Sequence, residues 1–256
     1  MKIDDSTVFA GVYGSFRPHA WIDAAQMTDD AYSLFAARAA SMGWASYGAA
    51  DTGPVLWGMN DAGQDWNAAT SRVAWFQVGV AEPGHEPRPL PIQPVLTCAR
   101  DTLARVGTLN LSSVSLLLPL AAAGSSTEHL VSGRNWFSTS DPAARTAVHL
   151  TVEPGEVDAV RPVATTILES LQRLDTGPFA VETLLPGSRA VVPVPPVVDD
   201  LWLGSGRHPV TLACSTPEWS IDAVGWLVGV VAAACTAAGV RTSVLVSAVR
   251  AGSAAA

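Results

Sequence analysis

Apolar and polar positions between residues 146 and 174 follow first the period of a strand and then that of a helix. The covered face of the strand consists of Thr146, Val148, Leu150 and Val152, which alternate with Ala147, His149 and Thr151. Helical spacing then governs the apolar side chains over 157–174, which are Val157, Val160, Ala164, Ile167, Leu168, Leu171 and Leu174. The pattern predicts a strand with one covered face, followed by a helix that buries one side.

The same order of elements recurs along the chain. Three stretches open with an arginine and an apolar strand, namely Arg72–Trp75, Arg145–Val148 and Arg207–Val210. Turn signals and a helical pattern follow each of them. The strands that close these units are predicted at Leu109–Leu118, Pro178–Leu185 and Thr242–Val249. The two strands of each unit are expected to run parallel, with a right-handed crossover.

A weaker fourth copy precedes the other three. Val8–Phe16 has the composition of a strand, and Thr28 is a plausible N-cap for a helix over Asp29–Met42. Trp44–Ala50 is predicted to be the returning strand. The run 51–67, which is rich in glycine and aspartate, is predicted to be a loop.

Four such units combine naturally into two βαββαβ halves. The predicted fold class is α+β, with tandem ferredoxin-like halves related by a pseudo-two-fold axis. The expected boundaries are 1–125 for the N-terminal half, 126–144 for a linker and 145–256 for the C-terminal half. The linker assignment depends on small and polar residues with little periodicity. A single larger sheet that carries all four units is the alternative.

One apolar segment bears on whether the chain spans a membrane. Residues 223–240 carry no charge over 18 positions. The segment is rich in alanine and glycine and runs directly into a predicted strand, which favours a buried helix over a membrane span. Small residues recur at every fourth position, namely Gly225, Gly229, Ala233 and Ala237. This stripe is either a face for self-association or the side that packs within the fold.

Charge and cysteine usage exclude some classes of function. The net charge is -8, and no stretch gathers the arginines into a basic stripe, so nucleic acid is not an expected partner. Cys98, Cys214 and Cys235 lie far apart among apolar neighbours, which argues against disulfides and against a metal site. The acidic N-terminus lacks the apolar run of a signal peptide, so we expect a cytoplasmic protein.

Candidate contact and catalytic residues are few. The loop positions of Trp57 and Trp66 suggest exposed rings that contact a ligand or a partner, and Trp75 is a third candidate. His149 is the histidine best placed for a general base, with Arg145 nearby in sequence. The histidines show no metal-ligand spacing, and no glycine loop matches a nucleotide or cofactor motif, so no metal and no cofactor are expected.

These features favour a soluble binding or assembly protein that acts through protein–protein contacts. The expected partner is a second copy of the chain or another protein, reached through the loop tryptophans, through the stripe at Gly225 and Gly229, or through the proline-rich arm 191–198. The alternative is a cyclase-like or isomerase-like enzyme for a small apolar metabolite. Its apolar cleft would lie between the two halves, with His149, Arg145 or Trp75 on the wall.

Overall fold

The described residues form a mixed α/β molecule with one eight-stranded antiparallel sheet and five α-helices. The structure is a computed structural model that describes residues 7–22, 27–45, 56–69, 71–80, 89–124, 128–141, 143–174, 176–186 and 208–252. The elements up to residue 137 are β1 (Thr7–Pro18), α1 (Ala31–Ser41), β2 (Gly58–Gln64), β3 (Ser71–Gly79), α2 (Ile92–Val106), β4 (Gly107–Pro119) and α3 (Glu128–Phe137). The later elements are β5 (Thr146–Glu153), α4 (Ala164–Arg173), β6 (Ala180–Leu185), β7 (Val210–Thr216), α5 (Ile221–Ala237) and β8 (Ser243–Arg250).

The strands follow the spatial order β2-β3-β1-β4-β8-β5-β7-β6. The single-sheet alternative is therefore correct. Each neighbouring pair is antiparallel, so the two strands of each of the three clearer predicted units run parallel with one strand between them. For example, β3 and β4 both pair with β1, which lies between them.

The main core lies between the helices and one face of the sheet. On β1, alternate residues Val8, Ala10 and Val12 join the helices in this core. Phe9 points to the opposite face, where it packs with Leu117 of β4 and Leu245 of β8 in a separate small cluster. We call this opposite side of the sheet the outer face.

The junction between the two halves of the chain is closed by backbone and side-chain contacts. Strand β4 pairs with β8 from Ser113 to Pro119. On the helical side, α2 packs against α5, where Gln93 Nε2 donates to the carbonyl of Asp222 over 3.0 Å and Arg100 forms an ion pair with the Asp222 carboxylate. The described residues at this junction therefore do not form the cleft that was expected between the halves.

Helix α1 begins later than predicted. Its N-cap is Asp30 and not Thr28, because the Asp30 side chain accepts a hydrogen bond from the Ser33 amide over 2.8 Å. At its other end, Arg38 pairs with Asp101 of α2 over 2.7 Å. The cap fixes where the helix starts, and the ion pair holds its last turn against α2.

Helix α4 is shorter than the predicted helix over 157–174. Residues Arg161–Val163 form a 3-10 turn, and the α-helix begins at Ala164. Pro162 explains the late start, because a proline has no amide proton to donate within a helix and is tolerated only near its first turn. Val157 is consequently 58% exposed and does not belong to the buried face.

The run 51–67 is not a loop throughout, since it contains the edge strand β2. The predicted returning strand was placed too early. Ala45 forms only an isolated bridge to Trp57, and residues 46–50 lie outside the described part of the chain. An edge strand pairs on one side alone and here has mostly exposed positions, so it lacks the apolar alternation that identifies inner strands.

The predicted linker 126–144 contains helix α3, which packs on α5. Trp226 of α5 donates its indole proton to the Leu130 carbonyl over 2.8 Å. Gly133 lies so close to the Trp226 indole that an added Cβ would come within 2.9 Å of it. Phe137 packs edge-on against Phe179, with ring centroids 5.0 Å apart. The domain boundaries themselves remain a prediction.

The apolar segment 223–240 forms most of α5, and the prediction of a buried helix is confirmed. Ser220 caps the helix by accepting a hydrogen bond from the Ala223 amide over 3.1 Å. Within the described residues, no helix has both the length and the apolar character needed to cross a membrane.

Candidate binding site on the outer face

Small and hydroxyl-bearing side chains form a row across the outer face. The strand registers place Trp75, Gly11, Ser115, Ser247, Thr151 and Thr211 side by side on β3, β1, β4, β8, β5 and β7. Most of these positions are buried, and Trp75 is partly exposed. The row therefore places buried polar groups at the middle of the outer face.

Two pairs in this row satisfy each other's hydrogen bonds. The hydroxyls of Ser115 and Ser247 are 2.9 Å apart, and those of Thr151 and Thr211 are 3.0 Å apart. A buried hydroxyl without a partner costs roughly 1–3 kcal/mol. Because each pair avoids that cost by cross-strand bonding, we regard the four side chains as structural.

Gly11 interrupts the row with a position that has no side chain. It lies in the interior of β1, within the ladders to Trp75 on one side and Ser115 on the other. Glycine weakens a strand interior, and it is retained there where a ligand or another backbone comes close to the sheet. A close approach to the outer face is one explanation of this glycine, and the register shift beside it, between Val12 and Tyr13, is another.

Large and polar side chains surround Gly11. Phe9 and Tyr13 flank it on β1, and Phe9 stacks on Trp75 with ring centroids 5.5 Å apart. Ser113 lies opposite Tyr13 on β4. We call this group the Gly11 site, which consists of Gly11, Phe9, Tyr13, Trp75, Ser113 and Ser115.

Tyr13 carries a buried hydroxyl that has no hydrogen-bond partner among the described residues. Burial raises the pKa of the phenol well above its usual value, and the charge of Arg72 opposes this shift without cancelling it. The phenol therefore stays protonated and can donate a hydrogen bond. A buried donor without an acceptor is rare in folded proteins, so its surroundings need an explanation.

The structure does not bring the predicted catalytic residues together with Trp75. Trp75 lies on β3 and His149 on β5, four strand spacings apart, which corresponds to roughly 19 Å. His149 is exposed on the outer face, and Arg145 precedes β5, where its guanidinium donates to the Ala144 carbonyl over 2.8 Å. Of these candidates, only Trp75 belongs to the Gly11 site.

The predicted exposure of the loop tryptophans is wrong. Trp57 is 1% exposed and Trp66 is 7% exposed, and both belong to the main core. Trp66 packs against Phe16 with ring centroids 5.3 Å apart. The contact role predicted for these two rings depended on exposed side chains, and both side chains are buried.

The small-residue stripe of α5 packs against neighbouring helices. A Cβ on Gly225 would lie 3.1 Å from Leu96 of α2, and one on Gly229 would lie 3.0 Å from Leu130 of α3. The structural interpretation of the stripe is favoured, although its partners are helices and not the sheet. Side chains of α2 and α3 therefore occupy the space beside the two glycines.

Sequence reasoning predicted Trp75 of this site and missed Gly11, Phe9, Tyr13, Ser113 and Ser115. A local signal was present on β1, where Phe9, Gly11 and Tyr13 alternate with the core residues of the same strand. Two aromatic residues that flank a glycine on one face would have identified this face as unusual. The partners on β3 and β4 depend on strand register, which no local pattern reveals.

Comparisons of the chain with family models, with curated proteins and with solved structures give no match in any of the three. Among the described residues, no group of three or more histidine, cysteine, aspartate or glutamate side chains could hold a metal ion. The proline-rich arm 191–198 lies outside the described residues. The features that bear on function therefore lie in the geometry of the outer face.

Proposed function

We propose that the protein binds a small molecule on the outer face of its sheet, at the Gly11 site. The observation that carries this proposal is the buried Tyr13 hydroxyl, which has no partner in the described part of the chain and lies two residues from a position without a side chain. A ligand that accepts from Tyr13 and lies over Gly11 accounts for both features. The enzyme alternative shares this binding step.

The features that suggested protein–protein contacts give less support to that function. Trp57 and Trp66 are core residues, and Gly225 and Gly229 accommodate Leu96 and Leu130 within the same chain. Each of these features therefore has an internal packing role that explains it without a partner. For the Tyr13 hydroxyl, no residue that the structure describes supplies such an internal explanation.

We also propose that the fold is a tandem of two ferredoxin-like halves. In support, β1 lies between β3 and β4 as β5 lies between β7 and β8, and β2 and β6 are the two outer strands. The pseudo-two-fold axis would pass by the Ser115–Ser247 pair, where β4 meets β8. Superposition of 7–119 on 146–250 in a crystal structure tests this relation.

Native mass spectrometry of the full chain, purified from its own cells without heat or denaturant, tests the binding function. We expect a mass excess that corresponds to one small molecule on each chain. Gly11→Val should remove this excess, because a branched side chain would project from β1 where the molecule is proposed to lie. Gly58→Val is the matched control, since a Cβ at Gly58 of β2 meets nothing within 4 Å.

Two results contradict the binding proposal. One is a spectrum that shows only the mass of the bare chain. The other is a mass excess that Gly11→Val retains as fully as Gly58→Val does. Circular dichroism of both variants establishes that the comparison is made between folded proteins.

An assembly function is the second candidate. Trp21 is 76% exposed and Trp136 of α3 is 73% exposed, and large exposed aromatic side chains are typical of protein interfaces. The subunit count in the same native spectrum tests this function. Trp21→Ser and Trp136→Ser should reduce any oligomer if these rings form the interface, whereas an unchanged count argues against it.

A further inference from the structure

The outer face of β5 and β7 is buried at one end and open to solvent at the other. On β5, Thr151 is 6% exposed, whereas His149, two residues earlier on the same face, is exposed. On β7, Thr211 is buried and Ala213 is only partly buried. Ser247 of β8, which pairs with Thr151, is buried as well. Burial on this face therefore increases toward one end of the sheet.

None of the described helices accounts for this burial. The five α-helices contribute their buried apolar residues to the main core, on the opposite side of the sheet. The small cluster on the outer face contains strand residues alone, namely Phe9, Leu117 and Leu245 with Trp75 against them. A sheet face that carries small hydroxyl side chains is open to water unless something lies on it. The burial therefore indicates a cover other than the described helices.

We propose that residues 187–207, which connect β6 to β7 and include the proline-rich arm 191–198, lie across the outer face of β7, β5 and β8. We call this stretch the β6–β7 segment. The inference goes beyond the proposed function and does not depend on it, because the Gly11 site lies on β1, beyond β8 and β4.

The β6–β7 segment starts and ends at the buried end of the face. It follows β6, whose last residue Leu185 pairs with the buried Thr211, and it leads into β7. The distance from β6 to β8 is three strand spacings, or roughly 14 Å. About ten residues of extended chain span roughly 33 Å, so half of the segment suffices to cross these strands. The other stretches outside the described residues are shorter.

The composition of the segment suits a face whose hydroxyls are already paired. Thr151 bonds to Thr211 and Ser247 bonds to Ser115, so a cover over them needs no polar groups. The segment supplies large apolar side chains, namely Val191, Val192, Val194, Val197, Val198, Leu201, Trp202 and Leu203. Three prolines in the arm favour an extended backbone with fewer amides that need partners. Such a segment can lie on side chains without pairing as a strand.

The proposed cover changes the role of the proline-rich arm. Burial of its valines against the outer face stabilises the fold of its own chain. The arm is therefore not the contact surface for another protein that was expected from the sequence.

Two introduced cysteines on one strand test the proposal in the full-length protein. Thr151→Cys places a thiol under the proposed cover, and His149→Cys is the matched control at the exposed position of the same face. The native cysteines are buried, so the introduced thiols dominate labelling. A maleimide at neutral pH should label the thiol at 151 at least about 100-fold more slowly than the thiol at 149, because labelling requires the cover to open.

Replacement of residues 187–207 by a turn of about four residues identifies the cover. Strands β6 and β7 pair directly, so a short turn can join them, and circular dichroism checks that the variant folds. The thiol at 151 should then react within about tenfold of the rate of the thiol at 149. A synthetic peptide with the sequence of 187–207 should slow labelling at 151 again and leave labelling at 149 unchanged.

A charged variant of the intact segment keeps the test independent of that replacement. Val194→Asp combined with Val197→Asp puts two carboxylates into the arm, and burial of an unpaired charge is costly. Labelling at 151 should become at least about tenfold faster than with the wild-type segment. Ser205→Asp, near the glycine-containing end of the same segment, is the control and should change this rate by less than about twofold.

Three outcomes overturn the proposal. Equal labelling rates at 149 and 151 in the full-length protein would show that no cover lies over Thr151. Slow labelling at 151 that persists in the folded replacement variant and in the charged variant would assign the cover to another part of the chain. Slow labelling that is lost on dilution, as an oligomer dissociates, would assign the cover to a second copy of the chain.

Discussion

Ser115 and Ser247 face each other across β4 and β8, with their hydroxyl oxygens 2.9 Å apart. Both side chains are buried, at 0% and 2% exposure, in the ladder that joins the two halves of the chain. Each hydroxyl is the hydrogen-bond partner of the other. The stability of the junction therefore depends on the two serines as a pair.

We expect strong coupling between substitutions at these two serines. Ser115→Ala leaves the Ser247 hydroxyl buried without its partner and should lower the free energy of unfolding by about 1–3 kcal/mol. Replacing both serines with alanine removes both polar groups, so the double variant should lose less than the sum of the single variants. Urea denaturation of the four proteins measures the coupling.

The threonine pair allows a second double-mutant cycle of the same design. Thr151→Val and Thr211→Val should show coupling of the same sign, because their hydroxyls are 3.0 Å apart and both residues are buried. Additive losses in the serine cycle would show that the two hydroxyls do not depend on each other. In that case their cost of burial is met by other groups.

Local patterns were sufficient to predict most inner elements of the sheet and the long helices. Helix α5 follows from an uncharged apolar segment, and α2 follows from buried residues at helical spacing such as Leu96 and Leu103. These elements bury one whole face or nearly their entire surface. Because these elements are buried, most of their residues are apolar, and the sequence shows that apolar pattern directly.

Elements that bury little were missed. Strand β2 lies at the edge of the sheet with mostly exposed positions, and α3 is anchored mainly by Leu130 and Phe137, which are seven residues apart. The Gly11 site was missed for a different reason. Its members come from β1, β3 and β4, and only the register between strands brings them together.

Substitution of Gly229 should affect stability and not the number of subunits. Gly229→Leu places a side chain where even a Cβ would lie 3.0 Å from Leu130, so we expect a loss of about 1–3 kcal/mol from overpacking. Ala237→Leu, on the exposed last turn of the same stripe, is the control and should have little effect. Thermal unfolding measures the stability, and size-exclusion chromatography measures the number of subunits. Loss of an oligomer without loss of stability would instead favour the self-association face.

Removal of the Tyr13 hydroxyl should not destabilise the free protein. None of the described residues bonds to the hydroxyl, so Tyr13→Phe eliminates a buried polar atom and should raise the free energy of unfolding by up to about 1 kcal/mol. Tyr32→Phe, at a half-buried position of α1, is the control. Chemical denaturation of ligand-free protein measures both. A clear loss of stability in Tyr13→Phe would indicate that the hydroxyl has a structural partner, such as an ordered water.

The three cysteines should be unreactive in the folded protein. Cys98, Cys214 and Cys235 are free and buried, and burial raises the pKa of each thiol to about 12. The thiolate is the reactive form, so access and ionisation both oppose modification. A disulfide reagent at neutral pH should label no cysteine in the native protein and three after denaturation. Rapid labelling of any one thiol in the native state would contradict its burial.

The same pKa shifts predict a loss of stability in alkali. Below pH 9.0, the ordinary pKa of the thiol, the folded and unfolded states both hold the thiol proton, and the cysteines contribute no pH dependence. Between pH 9.0 and about 12 the unfolded state releases that proton while the folded state keeps it. The free energy of unfolding should therefore fall as the pH rises, by about 1.4 kcal/mol per pH unit for each thiol.

Cys235→Ala isolates the contribution of one thiol to this alkaline slope. The variant should be less stable than the wild type at neutral pH, because a buried side chain is shortened, yet its stability should fall less steeply above pH 9.0. Denaturant titrations at intervals from neutral pH into alkali measure both slopes. Identical slopes would show that Cys235 ionises equally in the folded and unfolded states, which its complete burial on α5 forbids.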